Sequence, residues 1–117
     1  MSRALNDLAP AFRPLAFELI ARCIEARIPV LIVNTRRTDA EQAAYVKQGV
    51  SWIARSKHQD GLAIDLVPYA VFQEYGEDKL QWQADDPSWA KIGALGEALG
   101  LRWGGRWLKT PDLGHFE

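Results

Sequence analysis

Phe12, Leu15, Ala16, Leu19, Ile20, Cys23 and Ile24 recur at the i, i+3, i+4, i+7 spacing of one helical face and predict an amphipathic helix over residues 10–27. Pro10 and Pro14 fall near its start, where a missing N–H is tolerated. The next run, IPVLIVN (residues 28–34), is short, β-branched and continuous, the pattern of a buried strand. A polar turn, TRRTDAEQ, follows, in which Thr38 or Asp39 can cap a second helix reaching Gln48. Glu41 sits in its first turn and Gly49 just past its end. Residues 50–57 show no period and read as a loop. Leu62, Ile64 and Leu66 then alternate with Ala63, Asp65 and Val67, predicting a strand over residues 61–67 that Pro68 should stop. Residues 69–86 are mixed and read as an elaborated loop. Asp86-Pro87-Ser88 starts a third helix that Gly100 ends, and the tail LRWGGRWLKTPDLGHFE is turn-rich with two short candidate strands.

A chain of 117 residues is expected to form one domain, and no internal repeat or linker divides it. About half the residues are apolar, a quarter are charged, and the net charge is -1, so no basic stripe offers itself to nucleic acid. The single cysteine, Cys23, excludes an internal disulfide and a thiolate metal cluster. It lies on the apolar face of the first helix and reads as a small buried hydrophobe. The N-terminus lacks the apolar segment of a signal peptide, and no run approaches membrane-spanning length. Synthesis in the cytoplasm, with no membrane partner, is therefore expected.

The chemistry concentrates at two places. The chain has only two histidines, His58 in SKHQDGLAIDL and His115 in DLGHFE. A catalytic zinc typically takes three protein ligands from imidazoles and carboxylates and leaves a fourth position open, and His58, Asp65 and His115 can supply such a set. Along a straight strand His58 and Asp65 would lie on opposite faces roughly 23 Å apart, so a turn at Gly61 is required. Asp112, three residues before His115, is the natural general base for water activated by a metal. Arg37 or Arg36, in the turn after the first strand, can meet negative charge developing on a carbonyl oxygen. Taken singly each residue has a plainer reading. A histidine usually ligates nothing, Asp65 can pair with an arginine, Asp112 can be a turn residue, and the arginines can be solvated. Tryptophans, of which four of the five fall in the C-terminal third, usually pack.

The combination resembles a known family. SKHQDGLAIDL is similar to the SxHxxGxAxD motif of the M15 zinc metallopeptidases, the group of D-Ala-D-Ala carboxypeptidases and L-alanyl-D-glutamate endopeptidases. VLIVNTRRTDAEQAAYVKQG resembles that family's strand, arginine turn and helix. LGLRWGGRW, which contains Trp103, resembles its WGGDW segment, and DLGHFE resembles its DxxHFE.

The resemblance implies one zinc ion held by His58, Asp65 and His115, with Asp112 as catalytic base and Arg37 acting on the substrate. Arg36, Gln42, Ser56 and Trp103 are implied as substrate-binding or supporting residues. The implied fold is α+β, a small domain with helices packed on an antiparallel sheet that carries the zinc site, as in hedgehog and D,D-peptidase domains. The implied substrate is a peptidoglycan stem peptide cut at the L-alanyl-D-glutamate bond by a monomeric, endolysin-like enzyme acting on the cell wall. A D,D-carboxypeptidase, a D-Ala-D-Ala dipeptidase, and a catalytically silent zinc- or peptidoglycan-binding domain are the alternatives. Two departures stand out: Thr35 and Arg36 precede Arg37 where the family has a small residue and an aromatic, and Arg106 replaces the acid of WGGDW, which is expected to reverse a charge near the pocket. Wall affinity is expected to come from the catalytic domain, since no wall-binding module follows Glu117.

Overall fold

A computed structural model describes residues 1–49, 53, 55–70 and 79–117. Helix α1 spans Arg13–Glu25 and buries Ala16, Leu19 and Cys23, the stripe its spacing predicts, while Ile24 on the same predicted face is exposed. It ends two residues short of the expected boundary. The N–H of Ile28 donates to the carbonyl of Cys23 and that of Arg27 to Ile24, a closing motif that needs a left-handed residue at its centre. Arg27 takes that place with φ 60°. Strand β1, Val30–Asn34, therefore starts two residues later than the apolar run.

Helix α2, Asp39–Lys47, opens on Thr38, whose hydroxyl accepts from the Glu41 N–H while the Glu41 carboxylate accepts from the Thr38 N–H. The sequence left Thr38 and Asp39 open, and this reciprocal pair decides for Thr38. Half of the expected loop at residues 50–57 lies outside the described residues, as do residues 71–78 of the later one. Of the rest of that later loop, residues 69–70 belong to strand β2 and Lys79–Leu80 form strand β3.

Strand β2, Ile64–Ala70, runs through Pro68 and does not stop there. The Pro68 carbonyl accepts from Gln81, on the side where β3 is only two residues long, so the missing N–H costs the sheet little. β2 is the central strand. It pairs antiparallel with β1, with β3, and with strand β4, His115–Phe116. In the tail, only β4 is a strand; the second candidate reduces to a bridge between Trp103 and Phe116.

One face of this sheet makes the core. Ile64, Leu66 and Phe116 point into a buried cluster with Phe12, Leu19 and Cys23 from the α1 side and Ile92 from helix α3, Ser88–Ala98. Asp86 accepts from the Ser88 N–H at the start of α3, as expected, and Gly100 (φ 85°) closes its end. Gly93 and Gly96 sit mid-helix, where glycine costs about 1 kcal/mol each relative to alanine. The contacts explain them: a Cβ at either would lie 2.5 Å from a ring, that of Trp103 or that of Phe116. α3 thus lies directly on the bridge that carries His115 into place.

Arg27 holds a backbone conformation that glycine adopts without penalty. Arg27→Gly should stabilise the chain by about 1 kcal/mol, a rise of a few degrees in thermal midpoint. A lower midpoint in calorimetry would contradict this account of the α1 terminus.

Candidate metal centre and active site

Asp65 alternates with the core residues Ile64 and Leu66 and so faces the opposite side of β2. Partners reach it from both edges of the strand. β1 carries a bulge: Ile32 pairs with Leu66 but Asn34 with Asp65, so Val33 is the extra residue. The Asn34 side chain consequently donates to Asp65 Oδ2 at 3.0 Å. On the other edge, the register sets His115 directly opposite Asp65, with its Nδ1 3.1 Å from Asp65 Oδ1.

His58 arrives by a turn. The 3-10 segment Lys57–Asp60 is capped by Ser56, whose hydroxyl accepts from the His58 N–H while Gln59 Oε1 accepts from the Ser56 N–H. It leaves through Gly61 at φ 70°, where a Cβ would also lie 2.7 Å from the Ala9 nitrogen. Both conformation and space demand glycine there. The reversal brings His58 Nε2 to 3.1 Å from Asp65 Oδ1, so one carboxylate oxygen serves both imidazoles.

The other ring nitrogens are also committed. His58 Nδ1 lies 2.6 Å from the Thr35 carbonyl, which can only accept, so that nitrogen carries the proton. His115 Nε2 lies 2.9 Å from Glu117 Oε1 and donates to it in the same way. His58 Nε2 and His115 Nδ1 are thereby the ring nitrogens that face Asp65, and they are the atoms a cation would take once a proton there is displaced. One ligand atom from each of the three residues lies within 4.8 Å of the others, a group that can hold a metal ion. Two imidazoles, one carboxylate and an open side suit a borderline divalent cation.

These groups form the floor of a cavity of about 1000 Å³. Arg37, Tyr45, Ser56, Trp107, Lys109 and Asp112 line it as well. Asp112 is placed by a close approach: a Cβ on Gly104 would collide with the Asp112 carbonyl, and the Asp112 N–H donates to the Gly104 carbonyl at 2.9 Å. Much of Asp112 is exposed, yet burial of its carboxyl and the nearby Asp65 charge push its pKa above the usual carboxylate range. Arg37 Nη1 donates to Gln42 Oε1 at 2.5 Å, and its guanidinium lies 4.7 Å over the Tyr45 ring. Gln42 is buried and donates onward to the Ile53 carbonyl.

Three residues singled out in the sequence lie outside the cavity lining. Arg36 is exposed and, among the described residues, does not line the cavity and offers only its carbonyl, to the Ser2 N–H. Trp103 is buried in the core with its indole N–H on the Leu113 carbonyl, because Gly93 and Gly105 both make room for its ring. Arg106 turns away from the cavity, making two hydrogen bonds to Glu97 on α3 and lying 5.4 Å over the Trp103 ring. The charge reversal in WGGRW therefore does not reach the pocket.

A sequence profile described as D-alanyl-D-alanine carboxypeptidase, one of the M15 peptidases, matches residues 49–117. The chain belongs to the M15 peptidase family. This M15 chain is 33% identical over 113 residues to the L-alanyl-D-glutamate peptidase of Listeria phage A118, covering 97% of its own length and 38% of the phage protein. It thus spans little more than a third of that relative. It is 29% identical over 126 residues to the peptidoglycan L-alanyl-D-glutamate endopeptidase CwlK of Bacillus subtilis (strain 168), covering 96% of the chain and 74% of CwlK. The crystal structure of the Serratia marcescens L-Ala D-Glu endopeptidase ChiX has the same fold, with a TM-score of 0.78 at 23% identity over 97% of this chain and 81% of ChiX.

Residues the sequence reading missed complete the site. Glu117 follows His115 by two, the spacing that puts two side chains on one face of a strand, so its role was readable in HFE. Asn34 was not, because it depends on the bulge. Trp107, 5.0 Å from the His115 ring, was hidden among tryptophans that mostly pack.

In the metal-free chain, burial alone would lower the His115 pKa, but hydrogen bonds to Asp65 and Glu117 outweigh it and hold it at about 9. Burial would raise Asp65, yet the hydrogen bonds from His115 and His58 keep it well below the usual carboxylate range. His115 thus contributes stability that is complete below its ordinary value of 6.5 and lost as pH rises through about 9. Asp65 contributes above its ordinary 3.8 and loses this as pH falls through its folded value. The metal-free chain should be most stable between those two ordinary values. A metal must displace the His115 proton, so affinity should rise with pH up to about 9, with about one proton released per ion near neutrality. Calorimetry in buffers of different ionisation enthalpy measures that release, and none would contradict the assignment. Glu117→Gln should weaken metal binding about 10- to 100-fold, read by competition with a chelating dye.

Proposed function

We propose that the chain is a zinc-dependent peptidoglycan endopeptidase that hydrolyses the L-alanyl-D-glutamate bond of stem peptides. The observation that carries this reading is the convergence of His58, Asp65 and His115 with Asp112 in one open cavity. Two relatives bearing L-alanyl-D-glutamate peptidase names support the choice of bond. Residues 1–117 act as one catalytic unit with a single zinc ion, working as a monomer.

When bound, zinc acidifies water and polarises the scissile carbonyl. The chain's own residues do the rest. Asp112, whose raised pKa brings it nearer working pH, takes a proton from the attacking water and returns it to the leaving nitrogen. Arg37, fixed by Gln42 and Tyr45, presents a positive charge to the substrate without needing to reorganise. Ser56 acts through His58, whose turn it caps. Thr35 and Glu117 hold the two imidazoles in the ligating tautomer.

The proposed place of action is the cell wall, after synthesis in the cytoplasm. Among the described residues no helix is long and apolar enough to cross a membrane. A D,D-carboxypeptidase is the second reading, favoured by the description of the matching family profile, and it would release D-alanine. The charge reversal at Arg106 lends no support to a silent binding domain, since Arg106 makes its hydrogen bonds to Glu97 outside the cavity.

Zinc-loaded protein incubated with purified cell walls should release fragments whose masses place the cut between L-alanine and D-glutamate. Release of free D-alanine instead would establish the second reading, and no soluble product at all would remove both. Asp112→Ala should retain zinc and fold while losing hydrolysis by about 100- to 10,000-fold.

A further inference from the structure

Two basic side chains line the cavity, and they are held differently. Arg37 is committed to Gln42 and to the Tyr45 ring. Lys109 is exposed and has no hydrogen bond or ion pair among the described residues. It is nonetheless on the inward side of its segment. Trp107 and Lys109 line the cavity while Leu108 between them is 98% exposed, an alternation that turns Lys109 toward the site. Thr110, Pro111 and Asp112 continue along the same wall.

The acids of the cavity do not claim this ammonium. Asp65 is taken by Asn34, His58 and His115, and Glu117 by His115. Asp112, three residues on, makes no ion pair with it. A hydrated point charge on a flexible four-carbon stem, left unpaired at a cavity wall, suits an anion that arrives with the ligand.

We propose that Lys109 is a specificity-determining residue that binds a free carboxylate on the residue following the scissile bond. This rests on the peptidase reading above. A glutamate whose nitrogen is acylated by alanine has two carboxyls; extending the stem uses one, and the other stays ionised on the same residue as the scissile nitrogen. Arg37 and Lys109 then divide the work: the fixed cation serves the reacting carbonyl, and the mobile one selects the neighbouring charge. The chain accordingly prefers stem peptides with a free glutamate carboxyl over those in which it is amidated.

Two synthetic stem peptides, one with D-glutamate and one with that carboxyl as the primary amide, test this with zinc-loaded wild type, Lys109→Met and Lys109→Glu. Wild type should favour the acid peptide by about tenfold in kcat/KM, mainly through KM, as expected of one charge-assisted hydrogen bond at an exposed site. Lys109→Met should bring the ratio near one, and Lys109→Glu should reverse it. Zinc content checks that each variant keeps its site. An acid-to-amide ratio unchanged by Lys109→Met, or an equal loss on both peptides, overturns the role of Lys109 alone. Failure of wild type to cut either peptide removes the peptidase reading and this assignment with it.

Discussion

Asp65 is an ionised carboxylate placed among apolar residues on the central strand, and taking such a charge out of water costs on the order of several kcal/mol unless it is paired. Its two oxygens are met by Asn34 from β1, His58 from the turn before β2, and His115 from β4. Those partners come from three separate parts of the chain. The need to satisfy one carboxylate therefore fixes how the two edges of the sheet and the His58 turn meet. The same convergence brings two imidazole nitrogens and a carboxylate oxygen to a common point, the donor set that can hold a cation once it displaces the His115 proton.

Bringing these segments together needs close backbone contacts, and glycine supplies them at each layer. Gly61 lets the chain reverse against Ala9, and Gly104 lets the WGG segment lie on Asp112. On the far side of the sheet, Gly93 and Gly96 let α3 press against the rings of Trp103 and Phe116, so the strand bearing His115 is backed by a helix through the Phe116 ring alone. The helix-destabilising glycines of α3 serve the site through the core. Trp103 belongs to this layer too, which is why a tryptophan inside a family-like motif supports the centre from behind without reaching the cavity.

Much of this was legible in the chain. The stripe from Phe12 to Cys23, the start of α2 at Thr38 or Asp39 and the Asp86 start of α3 follow local rules, and they appear as predicted. The motifs that carry the candidate ligands could be read because their residue types are scarce: two histidines and one aspartate in an apolar run leave few combinations. What could not be read depends on tertiary context. Pro68 stays within β2 only because its carbonyl side meets a two-residue strand, Arg27 is left-handed because the closing hydrogen bonds hold it so, and the aim of Arg106 is set by Glu97, nine residues away on another element. Likewise, only the folded turn separates Arg37, which lines the cavity, from its neighbour Arg36, which does not.

The claim on which the rest stands is that His58, Asp65 and His115 together hold one metal ion. X-ray absorption at the zinc edge of the loaded protein, with metal content measured on the same sample, tests it directly. The account predicts one ion per chain with two imidazole nitrogens and only nitrogen or oxygen neighbours, a signal lost in Asp65→Ala. A sulfur neighbour, fewer than two imidazoles, or an ion retained unchanged in that variant would contradict it.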